Sequence, residues 1–94
     1  MDEYRLEDFA GAVGEHFDLA AGDTTIPLKL KDARPMPSPS LREHGSFSLH
    51  WLGPFEPILP QATYELSRDG KAYAIFIVPI ARDDSGTTYE AVFN

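Results

Sequence analysis

The apolar positions of this chain change period early. Leu6, Phe9 and Val13 fall at i, i+3 and i+7 among acidic residues, the spacing of one helical face. This predicts a short amphipathic helix over about residues 3–13, capped by Asp2 and broken by Gly11 and Gly14. From His16 onward the period is two. Phe17 and Leu19 alternate with His16, Asp18 and Ala20, and Ile26, Leu28 and Leu30 alternate with Thr25, Pro27, Lys29 and Lys31. The turn Ala21-Gly22-Asp23 joins them as a hairpin, and Pro27, lacking an N–H, marks an edge or a strand start.

Residues 34–40, Arg-Pro-Met-Pro-Ser-Pro-Ser, cannot pair inside a sheet and read as an extended connector. Phe47, Leu49 and Trp51 then define a strand face opposite Ser46, Ser48 and His50. A second proline-rich connector spans 53–61 and holds three large apolar residues, Phe55, Ile58 and Leu59. Tyr64 and Leu66 alternate with Thr63, Glu65 and Ser67, and Asp69-Gly70 is a tight-hairpin pair. The segment Ala72 to Ile80 is apolar on both faces, as a central strand is, with its second face set against the helix or the far side of a barrel. After the turn Asp83-Asp84-Ser85-Gly86, Tyr89, Ala91 and Phe93 form the last strand face. No internal repeat is apparent. The pattern predicts a mainly β domain over residues 1–94, an antiparallel barrel or two-layer sandwich of about six strands with one short helix.

Composition narrows the function classes. A net charge of −7 with pI near 4.7 opposes phosphate backbones, and no cluster of Lys or Arg offsets it, so nucleic acid is not an expected partner. With 0 cysteines there is no thiol chemistry, disulfide or thiolate metal site. No apolar run approaches the ~20 residues of a membrane helix, and the acidic start is unlike a signal peptide. The expected location is cytoplasmic, with signal-independent export left open.

Candidate chemistry is sparse. His16, His44 and His50 lack the short-spaced pair of a zinc site and read as solvent-facing. The run from Asp83 to Glu90 departs from the ligand spacing of a calcium loop and reads as a hairpin turn. No serine sits in a nucleophile elbow. Phe47, Trp51, Tyr64, Phe76, Tyr89 and Phe93 read as core. A hydrolytic site would need a cleft in which His50 meets a carboxylate. The apolar residues of the 53–61 connector, Phe55, Ile58 and Leu59, either plug the barrel or present a patch to a partner.

Several segments carry a family resemblance: Gly45-Ser46-Phe47-Ser48-Leu49, Gly53-Pro54, Leu59-Pro60-Gln61-Ala62-Thr63-Tyr64, Ile77-Val78-Pro79-Ile80 and the terminal Tyr89-Glu90-Ala91-Val92-Phe93-Asn94. Together with Phe9 to Gly14 and Phe17, they resemble a family of small bacterial proteins known as a domain of unknown function, DUF6916. The resemblance implies no catalytic residues and no cofactor. It implies a setting beside phage-tail-collar-like proteins, hence an accessory or structural role. The expected function is a non-enzymatic structural or protein-interaction module, an accessory of a tail-like or secreted fibre system, contacting its partner through Phe55, Ile58 and Leu59. The alternative is a small-ligand-binding β-barrel with a cavity lined by Trp51, Tyr64 and Tyr73.

Overall fold

A computed structural model describes residues 4–36 and 46–93. The elements are α1 (Glu7–Ala10), β1 (His16–Ala21), β2 (Thr24–Pro35), β3 (Phe47–Gly53), β4 (Ala62–Arg68), β5 (Lys71–Asp83) and β6 (Gly86–Phe93). All strand pairs are antiparallel, and the order β1-β2-β3-β6-β5-β4 closes on itself. Of the two architectures expected, the chain adopts the barrel.

Two long strands make closure possible. β2 pairs with β1 up to Lys29 and with β3 from Lys29 to Pro35, while β5 pairs with β4 up to Ile77 and with β6 from Val78. Each changes partner near a register shift, one between Leu30 and Asp32, the other between Pro79 and Ala81. An extra residue bends a strand and increases its twist, which lets one strand serve two walls. Arg34 and Pro35, expected in a connector, thus extend β2 against Ser48 and Phe47. Met36 N–H donates to the Ser46 carbonyl, and residues 37–40 of that connector, like His44, lie outside the described residues.

The two halves of the barrel are equivalent in register, a repeat that residue identities conceal. The hairpin pair Ala21–Thr24 corresponds to Arg68–Lys71, and the positions Phe17, Leu19, Ile26, Leu28 and Leu30 correspond to Tyr64, Leu66, Tyr73, Ile75 and Ile77. Leu19 and Leu66 are the one identical pair in these hairpins, and they sit opposite each other where β1 meets β4. What repeats is the period-two pattern and the turn placement. Residue identity does not.

Inward residues from every strand fill the interior. Phe17, Leu19, Leu28, Leu49, Trp51 and Ile77 are all buried. Trp51 meets Phe17 edge to face at 4.9 Å, and its buried indole N–H has no hydrogen-bond partner among the described residues. Phe9 closes one end of the barrel, its ring against Phe47, Phe93 and Tyr73. A fully buried side chain of this size contributes about 1.5–3 kcal/mol of transfer free energy, which fixes the N-terminal segment on the barrel.

The helix departs from expectation. It is one turn, Glu7–Ala10, with Leu6 at the N-cap and no side-chain cap; Asp2 lies outside the described residues. Arg5 N–H donates to the Asp8 carboxylate at 2.9 Å instead. The helix stops early because the chain is already joining the sheet. Gly14 N–H donates to the Leu30 carbonyl, and Leu30 N–H donates to the Glu15 carbonyl. A positive φ of 94° at Gly14 makes that change of direction, and Val13 is left 45% exposed.

A helix of one turn cannot cover the outer face of β5. Phe76, expected in the core, points outward and is 52% exposed, because Tyr73, Ile75 and Ile77 already occupy the inner face. Tyr64 is half-buried, with its hydroxyl donating to the Pro60 carbonyl at 2.8 Å.

Candidate functional site

The connector between β3 and β4 begins at a crowded point. A Cβ on Gly53 would stand 2.7 Å from Leu28 Cδ2, and one on Gly86 would stand 2.1 Å from the Gly53 carbonyl oxygen. Gly86 also has φ of 133°, so both the close approach and the backbone conformation require glycine there. The two glycines let the connector leave β3 directly over the start of β6.

From that point the connector divides its apolar residues. Leu59 is 7% exposed and closes the barrel end opposite Phe9, its N–H donating to the buried Tyr89 hydroxyl at 2.9 Å. Phe55 and Ile58 face outward, 48% and 46% exposed. Leu59, expected with the other two at a partner surface, is thus turned into the barrel, while Phe55 and Ile58 stay at the surface.

Arg82 holds the outward part in place. Its guanidinium carbon lies 3.6 Å from the Phe55 ring centroid, its Nε–H donates to the Phe55 carbonyl at 3.0 Å, and its terminal nitrogen reaches Glu56 at 3.4 Å. Thr87 Oγ1 donates to the same Phe55 carbonyl at 3.3 Å. The Glu56–Pro57 peptide is cis. Stacking of a guanidinium on an exposed ring contributes about 0.5–1 kcal/mol, and the two hydrogen bonds fix the backbone beneath it.

Period-two reading of β5 does not reveal this role. It puts Arg82 in line with Ala74, Phe76 and Val78 on the outer face. The register shift between Pro79 and Ala81 moves it to the face of its partner Thr87, at the barrel end. A Pro within a strand is the only local signal of such a shift.

The histidines separate. His16 is exposed on β1. His50, on the outer wall, is paired across strands with Glu90, its Nε2 lying 3.1 Å from Glu90 Oε2. Asp32 is its neighbour on the other side. His50 also lines a depression in the wall, together with Thr88, so the cleft with His50 beside a carboxylate exists. Among the described residues Thr88 makes no hydrogen bond to His50. Among them, too, no group of three or more His, Cys, Asp and Glu is arranged to hold a metal ion, and no helix is long and apolar enough to cross a membrane.

Comparison with curated proteins and with solved structures gives no match. The family model described as a domain of unknown function, DUF6916, matches residues 4–93, and the chain belongs to that family.

Proposed function

We propose that this barrel is a non-enzymatic protein-interaction module that docks a partner protein through Phe55 and Ile58. The observation that carries the reading is the clamp of Arg82 on Phe55: a large apolar side chain left half in water, on a loop whose backbone is fixed at one carbonyl by two donors. Ordering an interface side chain on binding costs about 0.5–1.5 kcal/mol, and a loop already held in place avoids much of that cost. Aromatic and Arg side chains are also the residue types that dominate interface energetics. Leu59 anchors the loop from inside.

An accessory place in a tail-like or fibre assembly rests on the family resemblance alone. The test is co-purification of a partner by the wild-type chain and by Phe55→Asp and Ile58→Asp. Both residues are about half exposed, so the variants are expected to stay folded, which their circular dichroism checks. The reading predicts that each variant loses the partner that the wild type retains. Retention of the same partner by both variants overturns it.

A further inference from the structure

The two ends of the barrel differ in charge. β1 ends at Ala21 beside the start of β4, so the β1–β2 turn, the β5–β6 turn and the 53–61 connector share the end that Leu59 closes. Among the described residues, the cations Arg5, Arg34, Arg68 and Lys71 stand toward the opposite, Phe9 end. Lys29 and Lys31 lie on β2, three strand spacings or ~14 Å from β5. Charges at the surface are screened over about 8 Å at physiological ionic strength, so these two act weakly on the end of β5.

Arg82 is the one described cation at the Leu59 end, and it is committed to the Phe55 ring and to Glu56. Acids dominate around it. Arg82 and Thr87 hold the Phe55 carbonyl and bracket the β5–β6 turn, which sets Asp83 and Asp84 one and two residues from a direct Phe55 contact. Both acids are exposed, and neither makes an ion pair among the described residues. The Asp83 carboxylate accepts the Ser85 N–H at 2.8 Å and also faces the wall depression that Lys31 and Arg34 share. Asp84 stands at the tip of the turn. Glu56, Asp83 and Asp84 against Arg82 leave two negative charges in excess beside Phe55 and Ile58, and Asp23 in the β1–β2 turn adds to that end.

We propose that the partner meets this surface with a basic, apolar segment: its apolar side chains cover Phe55 and Ile58, and an adjacent Lys or Arg meets the Asp83–Asp84 turn. The inference rests on the docking reading above and adds the chemistry of the partner. Two residues of strand span ~7 Å, so the apolar and charged contacts fall within one short stretch of the partner chain. Charges at the rim of an interface act on association rate and salt dependence, while the apolar centre holds the complex.

The test uses the full chain with a photoreactive phenylalanine analogue at position 55, and sequences the partner segment joined to it. That segment is expected to carry a net positive charge. Retention of the same partner is expected to fall about three- to tenfold in Asp83→Asn/Asp84→Asn, the scale of two exposed charge pairs, and to fall likewise between ~0.05 M and ~0.5 M salt. Asn at position 83 keeps an acceptor for the Ser85 N–H, so the turn is preserved. Glu7→Gln/Glu15→Gln makes the same charge change at the opposite end and is expected to leave retention unchanged. A joined segment that is acidic or uncharged, full retention by the Asp83/Asp84 variant, or an equal loss in the Glu7/Glu15 variant overturns this inference and leaves docking through Phe55 standing. No adduct at position 55 overturns both.

Discussion

The Tyr4 hydroxyl accepts the Ala74 N–H at 3.0 Å, across a seam where β5 has parted from β6. The Tyr4 ring packs edge to face on Tyr73 and Phe93, so one side chain seals the gap and satisfies the strand edge beside it. The equivalent position in the first half of the barrel is Pro27, which has no N–H to satisfy. Unpaired strand edges invite pairing with other chains, and the two halves avoid it by different means.

Removing the hydroxyl separates the two roles of Tyr4. Tyr4→Phe keeps the ring and is expected to cost about 0.5–1 kcal/mol, read by urea denaturation. Tyr4→Ala opens the seam over Phe9 and is expected to cost more, about 2–3 kcal/mol, with faster hydrogen exchange at Ala74 in both variants.

Glycine is expected to matter by position. Gly86→Ala meets the Gly53 carbonyl and an unfavourable φ, so a loss above about 3 kcal/mol or failure to fold is expected. At Gly11 an added methyl group would meet nothing within 4 Å, and φ is −77°, so Gly11→Ala is expected to be neutral or to stabilise by up to about 1 kcal/mol. Thermal midpoints of the two variants decide the matter.

Tyr89 ties the core to the loop. Tyr89→Phe leaves the Leu59 N–H without its acceptor at a buried position. The expected cost is about 1–3 kcal/mol in chemical denaturation, with exchange of the Leu59 amide accelerated beyond that of its neighbours.

Arg82→Ala tests the clamp itself. Stability is expected to fall by only about 1 kcal/mol, since the side chain is 34% exposed and its bridge to Glu56 lies in solvent. Order parameters of the Phe55 and Glu56 amides are expected to drop while those of β5 stay high. Unchanged order at Phe55 would show that the clamp does not fix the loop.

Most of the fold was legible because the inner face of a barrel strand must be apolar at every second residue. Phe17 and Leu19, Ile26 to Leu30, and Phe47 to Trp51 all fall as the period requires. The outer wall was not legible in the same way. Phe76 reads like core because an apolar residue on a strand carries no mark of which face is covered. The helix read too long because Val13 keeps the helical spacing although the helix has ended at Ala10 and the chain is turning to join β2 through Gly14 and Glu15. Of the candidate site, Phe55, Ile58 and Leu59 stood out as large apolar residues among prolines. Arg82 did not, because its role depends on a register shift that reverses the strand's faces.

Site-specific photo-crosslinking tests the central claim most directly. A photoreactive phenylalanine analogue replaces Phe55 in one chain and, as a control, Glu65 on the exposed face of β4 in another. One discrete protein adduct is expected from position 55, weakened by Arg82→Ala, and none from position 65. No adduct at 55, or the same adducts from both positions, would contradict docking through the clamped loop.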